Sequence, residues 1–187
     1  MKKALVIAAL LLGALPLHRT FAADWTSEPS DSRLAFAAVF EKTPAPGVFR
    51  EFEVRLRLDP DQAEASRLDV TINIASADMS NADINKAIAG ADWFDFARFG
   101  RAEFHASGIR RVQADAFVAR GTLTLKGVQR PVEVPFSWSE SQGSATMEGK
   151  FVVQRGAFGI GTGEWSATDV IGADVTVSFR VRLRRAS

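Results

Sequence analysis

Apolar and polar residues alternate one by one along much of this chain. Near the C-terminus Val175, Val177, Phe179, Val181 and Leu183 are apolar, and Asp174, Thr176, Ser178, Arg180 and Arg182 stand between them. The same rhythm runs through residues 48–58, 68–76, 117–125, 132–138 and 147–153. Successive strand side chains point to opposite faces, so each segment has one wet and one apolar face. A chain built of such segments must hide its apolar faces together, in a sandwich or in a closed barrel with a greasy interior.

Eight strands follow from the pattern. Leu34, Phe36, Ala38 and Phe40 alternate in the first, and Pro44-Ala45-Pro46-Gly47 reads as the connection to residues 48–58. Asp59-Pro60-Asp61 is a turn signal before the third strand, 67–76. The two-residue period then stops. Over 81–96, Ile84, Ala87, Ile88 and Ala91 fall at helical spacing behind a possible N-cap at Ser80 or Asn81, which predicts a short helical insertion. Strands resume at 101–109, 117–126, 132–139, 144–154 and 174–184, with residues 127–131 read as a hairpin-like connection.

The inward faces carry Phe36, Phe40, Phe52, Val54, Ile72, Ile74, Phe104, Leu123, Phe136, Trp138 and Phe151. An eight-stranded barrel is just wide enough to be filled by such side chains or to hold one small ligand. Counting by twos from Met147 also puts Arg155 on the inward register. A charge there belongs at the rim or in a pair. Arg155 therefore reads as a structural residue closing the glycine-rich segment 156–163, with Asp169 and Asp174 as candidate partners.

The N-terminus does not belong to this pattern. Lys2 and Lys3 precede an apolar run over 4–15, and Thr20-Phe21-Ala22 places small residues at −3 and −1 of a cleavage site. That is the layout of a secretory signal peptide, expected to span 1–22 and to leave one domain, 23–187. Removing Lys2, Lys3 and Arg19 leaves 20 basic against 22 acidic residues, a balance that does not attract nucleic acid by its net field. Cysteine is absent, which removes thiol chemistry and Cys-ligated zinc. These features predict a periplasmic protein stabilised by its core alone.

Three constellations invite chemistry. His105 shares a strand face with Glu103 and Ser107, but residues two apart stand about 7 Å apart along a strand, too far for a triad relay. A hydrolase using Glu103, His105 or Asp83 therefore ranks last, and no metal site is expected. The glycines of 156–163 lack the following helix that a phosphate cradle requires. Arg180, Arg182, Arg184 and Arg185, beside Arg55 and Arg57, form a basic stripe that reads as cross-strand ion pairing with Glu51 and Glu53 nearby.

Four segments together resemble the YceI-like domain. They are residues 70–76; 92–99 with 102–107; 121–132, Gly-Thr-Leu-Thr-Leu-Lys-Gly-Val-Gln-Arg-Pro-Val; and 155–160, Arg-Gly-Ala-Phe-Gly-Ile. The resemblance implies an all-β fold, an extended eight-stranded antiparallel lipocalin-like barrel with a short helical insertion after strand three. It implies a non-catalytic periplasmic binder or carrier of a long apolar molecule such as a polyisoprenoid or a quinone tail, held in the interior. The expected channel is then the inward set above with Ile88, Trp93 and Phe94 of the insertion and Phe158. No cofactor is implied beyond such a ligand. A membrane b-type cytochrome as partner and a homodimer are further expectations, and the alternative is an accessory module with a solid core. The sequence departs from the family where an Arg-Asp pair is common (Asn81-Ala82-Asp83-Ile84), at Phe99-Gly100 and at Gly156-Ala157. Fewer polar groups there favour a plain hydrocarbon tail.

Overall fold

The computed structural model describes residues 22–59 and 62–186. The expected signal peptide, but for Ala22, and two of the three residues of the 59–61 turn lie outside the described residues. One antiparallel sheet closes on itself. Its strands are β1 (Ala23–Ser27), β2 (Arg33–Phe40), β3 (Thr43–Phe49), β4 (Phe52–Leu58), β5 (Arg67–Asn73), β6 (Ala77–Asp78), β7 (Arg101–Arg111), β8 (Ala116–Leu125), β9 (Val128–Ser141), β10 (Ser144–Gln154) and β11 (Asp174–Arg185).

These eleven pieces make eight staves. β1 and β2 are two halves of one, because β1 pairs with residues 183–185 of β11 and β2 with 176–180. β3 and β4 are halves of the next, interrupted at Arg50 and Glu51. β5 and β6 form the third, joined by a 3-10 turn at Ile74–Ser76. β7 to β11 complete the ring, and the β1–β11 pairing closes it. Closure pairs β1 on both sides, with β4 and with β11, so the ring has no end strand there.

Three boundaries differ from the sequence reading. β1 was not expected: it offers one large apolar residue, Trp25, in five positions, too little for a periodic signal. Pro44–Gly47 is strand, not connection; the turn is Glu41-Lys42, both with positive φ. On its other side β3 pairs with β6 only at Val48 and Phe49, so Pro44 and Pro46 lie where no second ladder needs their missing N–H. Likewise β9 starts at Val128 after a two-residue Lys126-Gly127 turn. Its Pro131 and Pro135 fall in the stretch that pairs with β8 alone, before the β10 ladder begins at Phe136.

The helical insertion is α1 (Ala82–Ile88). Asn81 caps it: its side chain accepts from the backbone N–H of Asp83 and Ile84 at 3.0 and 3.1 Å. Asp78 of β6 ties the helix to the sheet. Its carboxylate accepts from Asn85 Nδ2 at 2.9 Å, from the Ser80 N–H at 2.8 Å and from the Arg50 guanidinium. The Asn85 amide, the Ser80 N–H and Arg50, in that order, hold the Asp78 carboxyl down at about 2. A carboxyl depressed on folding stabilises above its ordinary titration range, and that contribution fades as pH falls toward the folded value. The Asp78 carboxyl resonance is therefore expected to titrate near pH 2 in the folded protein, and Asp78→Ala to speed amide exchange throughout α1 at neutral pH.

Candidate functional site

The barrel interior is packed at one end and open at the other. At the packed end Trp25 meets Trp138 edge-on with centroids 5.2 Å apart, and Phe117 stacks on Phe136 at 5.5 Å. Leu183, Ala119, Leu56 and Phe117 are fully buried among them. At mid-barrel a narrow cavity of about 80 Å³ lies between Phe52, Val54, Ile72, Phe104, Leu123, Phe151, Phe179 and neighbours. Toward the open end the interior widens into a cavity of about 450 Å³. That is within the usual range for small-molecule pockets, roughly 300–1,000 Å³. Val177 lines both, and the inward residues Leu123 and Leu125 of β8, and Phe151 and Val153 of β10, lead from one to the other.

Three chain segments build the larger cavity. The first is the β2–β3 hairpin with Phe36, Ala38, Phe40, Ala45 and Phe49. Phe36 lies on Gly47, where a Cβ would stand 2.4 Å from its ring, so only glycine leaves the ring that position. The second is α1 and the turn after it. Asp83, Ile84, Ala87 and Ile88 form one helix face over the cavity, as i, i+4 spacing dictates. Phe94 packs edge-on against both Phe36 and Phe49, at 6.4 and 6.1 Å. The third is the segment after β10, which contributes Phe158, Ile160, Trp165 and Ile171. Trp93 meets Trp165 at 5.9 Å, so the second and third segments touch. Phe40 and Ile84, each more than two-fifths exposed while lining the cavity, mark its mouth between the hairpin and α1.

Two cations hold this end together. Arg155, 4% exposed, donates from all three guanidinium nitrogens to five carbonyls: Gly172 at 3.1 Å, Ile160 at 3.1 Å, Gly161 at 2.8 Å, Ala167 at 3.1 Å and Ile171 at 2.8 Å. Its partners are backbone oxygens, not the carboxylates of Asp169 and Asp174 that the sequence reading offered. Both of those residues are exposed, and carbonyls of a wrapped loop fit a five-donor fork as well as a carboxylate does. Burial pushes the Arg155 guanidinium below its ordinary value. Lys126, from the β8–β9 turn, donates to Ala91 O at 2.7 Å and Gly159 O at 2.6 Å, stapling the α1 segment to the loop. Burial likewise lowers its ammonium.

The expected channel residues divide three ways. Phe36, Phe40, Ile88, Trp93, Phe94 and Phe158 line the large cavity, as does Arg155. Phe52, Val54, Ile72, Phe104, Leu123 and Phe151 line the small one. Ile74, Phe136 and Trp138 line neither; they are packed in the core. Missed were Ala45 behind its prolines, Met79, Asp83, Ile84 and Ala87 as cavity residues, and Trp165 and Ile171 in a loop without period. The helical spacing of 84, 87 and 88 carried a signal for the α1 face; nothing in the sequence marked the loop residues.

His105 sits on the outer wall, away from both cavities. Its Nδ1 is 2.8 Å from Asp69 on β5, and its Nε2 is 3.7 Å from Glu103, closer than strand spacing alone implies because the side chains lean together. The Asp69 hydrogen bond, opposed by some burial and aided by Glu103, raises the imidazole above its ordinary value. The arginine stripe is paired in part: Arg180 with Glu148 and Arg185 with Glu140, each at 2.9 Å, and Arg55 with Glu53 at 2.8 Å.

Comparison with known proteins places this geometry. A UPF0312 protein of Ectopseudomonas mendocina is 28% identical over 136 residues, covering 70% of this chain and 68% of the relative. Protein YceI of Salmonella arizonae is 31% identical over 86 residues, 46% of this chain and 44% of the relative. BcnA of Burkholderia cenocepacia superposes with a TM-score of 0.81 at 29% identity, over 83% of this chain and 98% of that one. A polyisoprenoid binding domain from Saccharophagus degradans, implicated in plant cell wall breakdown, shares the fold with a TM-score of 0.67 at 12% identity, over 87% and 98%. The YceI-like domain model matches residues 25–183. The chain, a closed eight-stave barrel that opens on an apolar cavity, belongs to the YceI-like domain family.

Proposed function

We propose that the protein is a non-catalytic binding or carrier protein for a long apolar molecule, of the polyisoprenoid, isoprenoid-quinone or similar lipid class, held in the barrel. The observation that carries this reading is the 450 Å³ cavity with its mouth beside α1 and its extension toward the 80 Å³ cavity at mid-barrel. Apart from Asp83 and Arg155 its lining is apolar or aromatic. The polyisoprenoid-binding description of a protein that shares this fold supports it. Each methylene moved from water into such a lining contributes about 0.8 kcal/mol, so a tail of a few isoprene units has ample driving force. Ordering the chain consumes part of that gain. The signal-peptide layout of residues 1–22 supports a periplasmic site of action. The family resemblance supports work beside a membrane b-type cytochrome.

Native mass spectrometry of protein purified from its own host is expected to show a bound mass that organic extraction removes and that an added polyprenol or quinone restores. Ligand-free protein that takes up neither compound overturns the reading.

A further inference from the structure

The lining of the large cavity contains two charged side chains, and they differ in what they have left to give. Arg155 has none of its guanidinium nitrogens free, since its five hydrogen bonds to loop carbonyls involve Nε, Nη1 and Nη2. The negative ends of five carbonyl dipoles surround its charge, and burial already disfavours it. It is a fastener of the loop between β10 and β11. Asp83 is the opposite case. Its backbone N–H is used by the Asn81 cap, but its carboxylate makes no hydrogen bond or ion pair among the described residues. It is exposed, yet it lines the cavity on the same α1 face as Ile84, Ala87 and Ile88. It therefore stands near the mouth, where a bound tail meets water.

An ionised carboxylate is an acceptor only. At the end of an apolar slot it rewards a terminus that donates a hydrogen bond and penalises one that carries negative charge. We propose that Asp83 selects the end group of the bound molecule: it accepts a hydroxyl or ammonium terminus and disfavours a phosphate or carboxylate terminus. This rests on the apolar-ligand reading above and narrows it, from any long hydrocarbon to one ending in a hydrogen-bond donor. Asp83 acts in specificity alone, because the burial energy resides in the apolar walls.

The test compares three probes with one common alkyl chain, an alcohol, a primary amine and a monophosphate, each below its micellar concentration. Affinities are measured by calorimetry for the wild-type protein and for Asp83→Asn, which keeps size and helix position but removes the charge. The wild-type protein is expected to rank amine first, alcohol second and phosphate last. In Asp83→Asn the amine is expected to lose about five-fold and the phosphate to gain about five-fold, the upper range for a solvent-exposed charge pair. The alcohol is expected to change less than either. The amine preference is also expected to shrink as salt is raised. Equal affinities for all three probes in both proteins overturn the proposal and leave the apolar-ligand reading standing. A phosphate preference that survives in Asp83→Asn overturns it too. No binding of any probe overturns both. Thermal unfolding of Asp83→Asn separates a lost helix-dipole contribution, which lowers stability without reordering the probes.

Discussion

Arg155→Met is expected to destabilise the protein by about 3–5 kcal/mol, because several of the carbonyls it serves would be left buried without a donor. At this chain length that lowers the unfolding midpoint by roughly 10 °C. Methionine fills most of the volume and keeps the apolar stem, so the loss reports the guanidinium. The five carbonyls it serves, on Ile160, Gly161, Ala167, Ile171 and Gly172, span the whole loop between β10 and β11. Without the fork those oxygens must find water, at about 1–3 kcal/mol for each that cannot. Gly161 shows how tightly the loop is wrapped: a Cβ there would stand 2.1 Å from Arg155 Nη1, and its φ is +70°. Lysine, with three donors on one nitrogen, can serve part of the set, so Arg155→Lys is expected to fall between wild type and Met. Urea unfolding ranks the three. Amide exchange localises the damage: residues 156–173 should open first in Arg155→Met while β4, β5 and β7 keep wild-type protection. Loss of protection spread evenly over the barrel would show that Arg155 does not organise the loop.

That arrangement shows what alternation can and cannot foretell. Period two is a property of the strand backbone, so it counted eight staves, placed Val175 to Leu183 inward on β11, and put Arg155 on the inner register. It also located the helical insertion, because the period stops where α1 and the Trp93–Phe96 turn begin. It could not name the partners of Arg155, since carbonyl positions depend on the path of a loop that has no period. It misplaced the β2–β3 turn because prolines normally end strands, and only the missing second neighbour of β3 makes Pro44 and Pro46 harmless. It missed Trp25, whose strand is too short to display a rhythm, although that ring closes the packed end against Trp138. The inward set was legible as apolar. Which members line space, and which merely fill it, depends on the rings of neighbouring staves: Phe136 stacks on Phe117 at 5.5 Å, whereas Phe36 folds back over Gly47 and leaves room beside it.

Ala38→Trp is expected to abolish high-affinity binding of a long apolar ligand while preserving the fold. Ala38 lines the large cavity, and its place on β2 between Ala37 and Val39 directs its side chain inward by the pleat. An indole on that inward register enters the space a tail would occupy. Overpacking a filled core usually costs about 1–3 kcal/mol, but a ring entering a cavity of 450 Å³ meets vacancy before it meets walls. Stability should therefore stay within about 1 kcal/mol of wild type or rise, since the ring buries apolar area. Binding should move the other way. A tail that loses four or five buried methylenes forfeits about 3–4 kcal/mol, a hundred-fold or more in affinity. The contrast is measurable by titrating alkyl probes of increasing length into both proteins. Wild-type affinity should climb with each methylene until the cavity is full, and that climb should be cut short in Ala38→Trp. Coincident length dependence in the two proteins would mean that the tail lies outside the barrel, on the exposed surface around Phe40 and Ile84. A shared climb that merely starts lower would instead place the tail alongside the indole, in the direction of Val177 and the mid-barrel cavity.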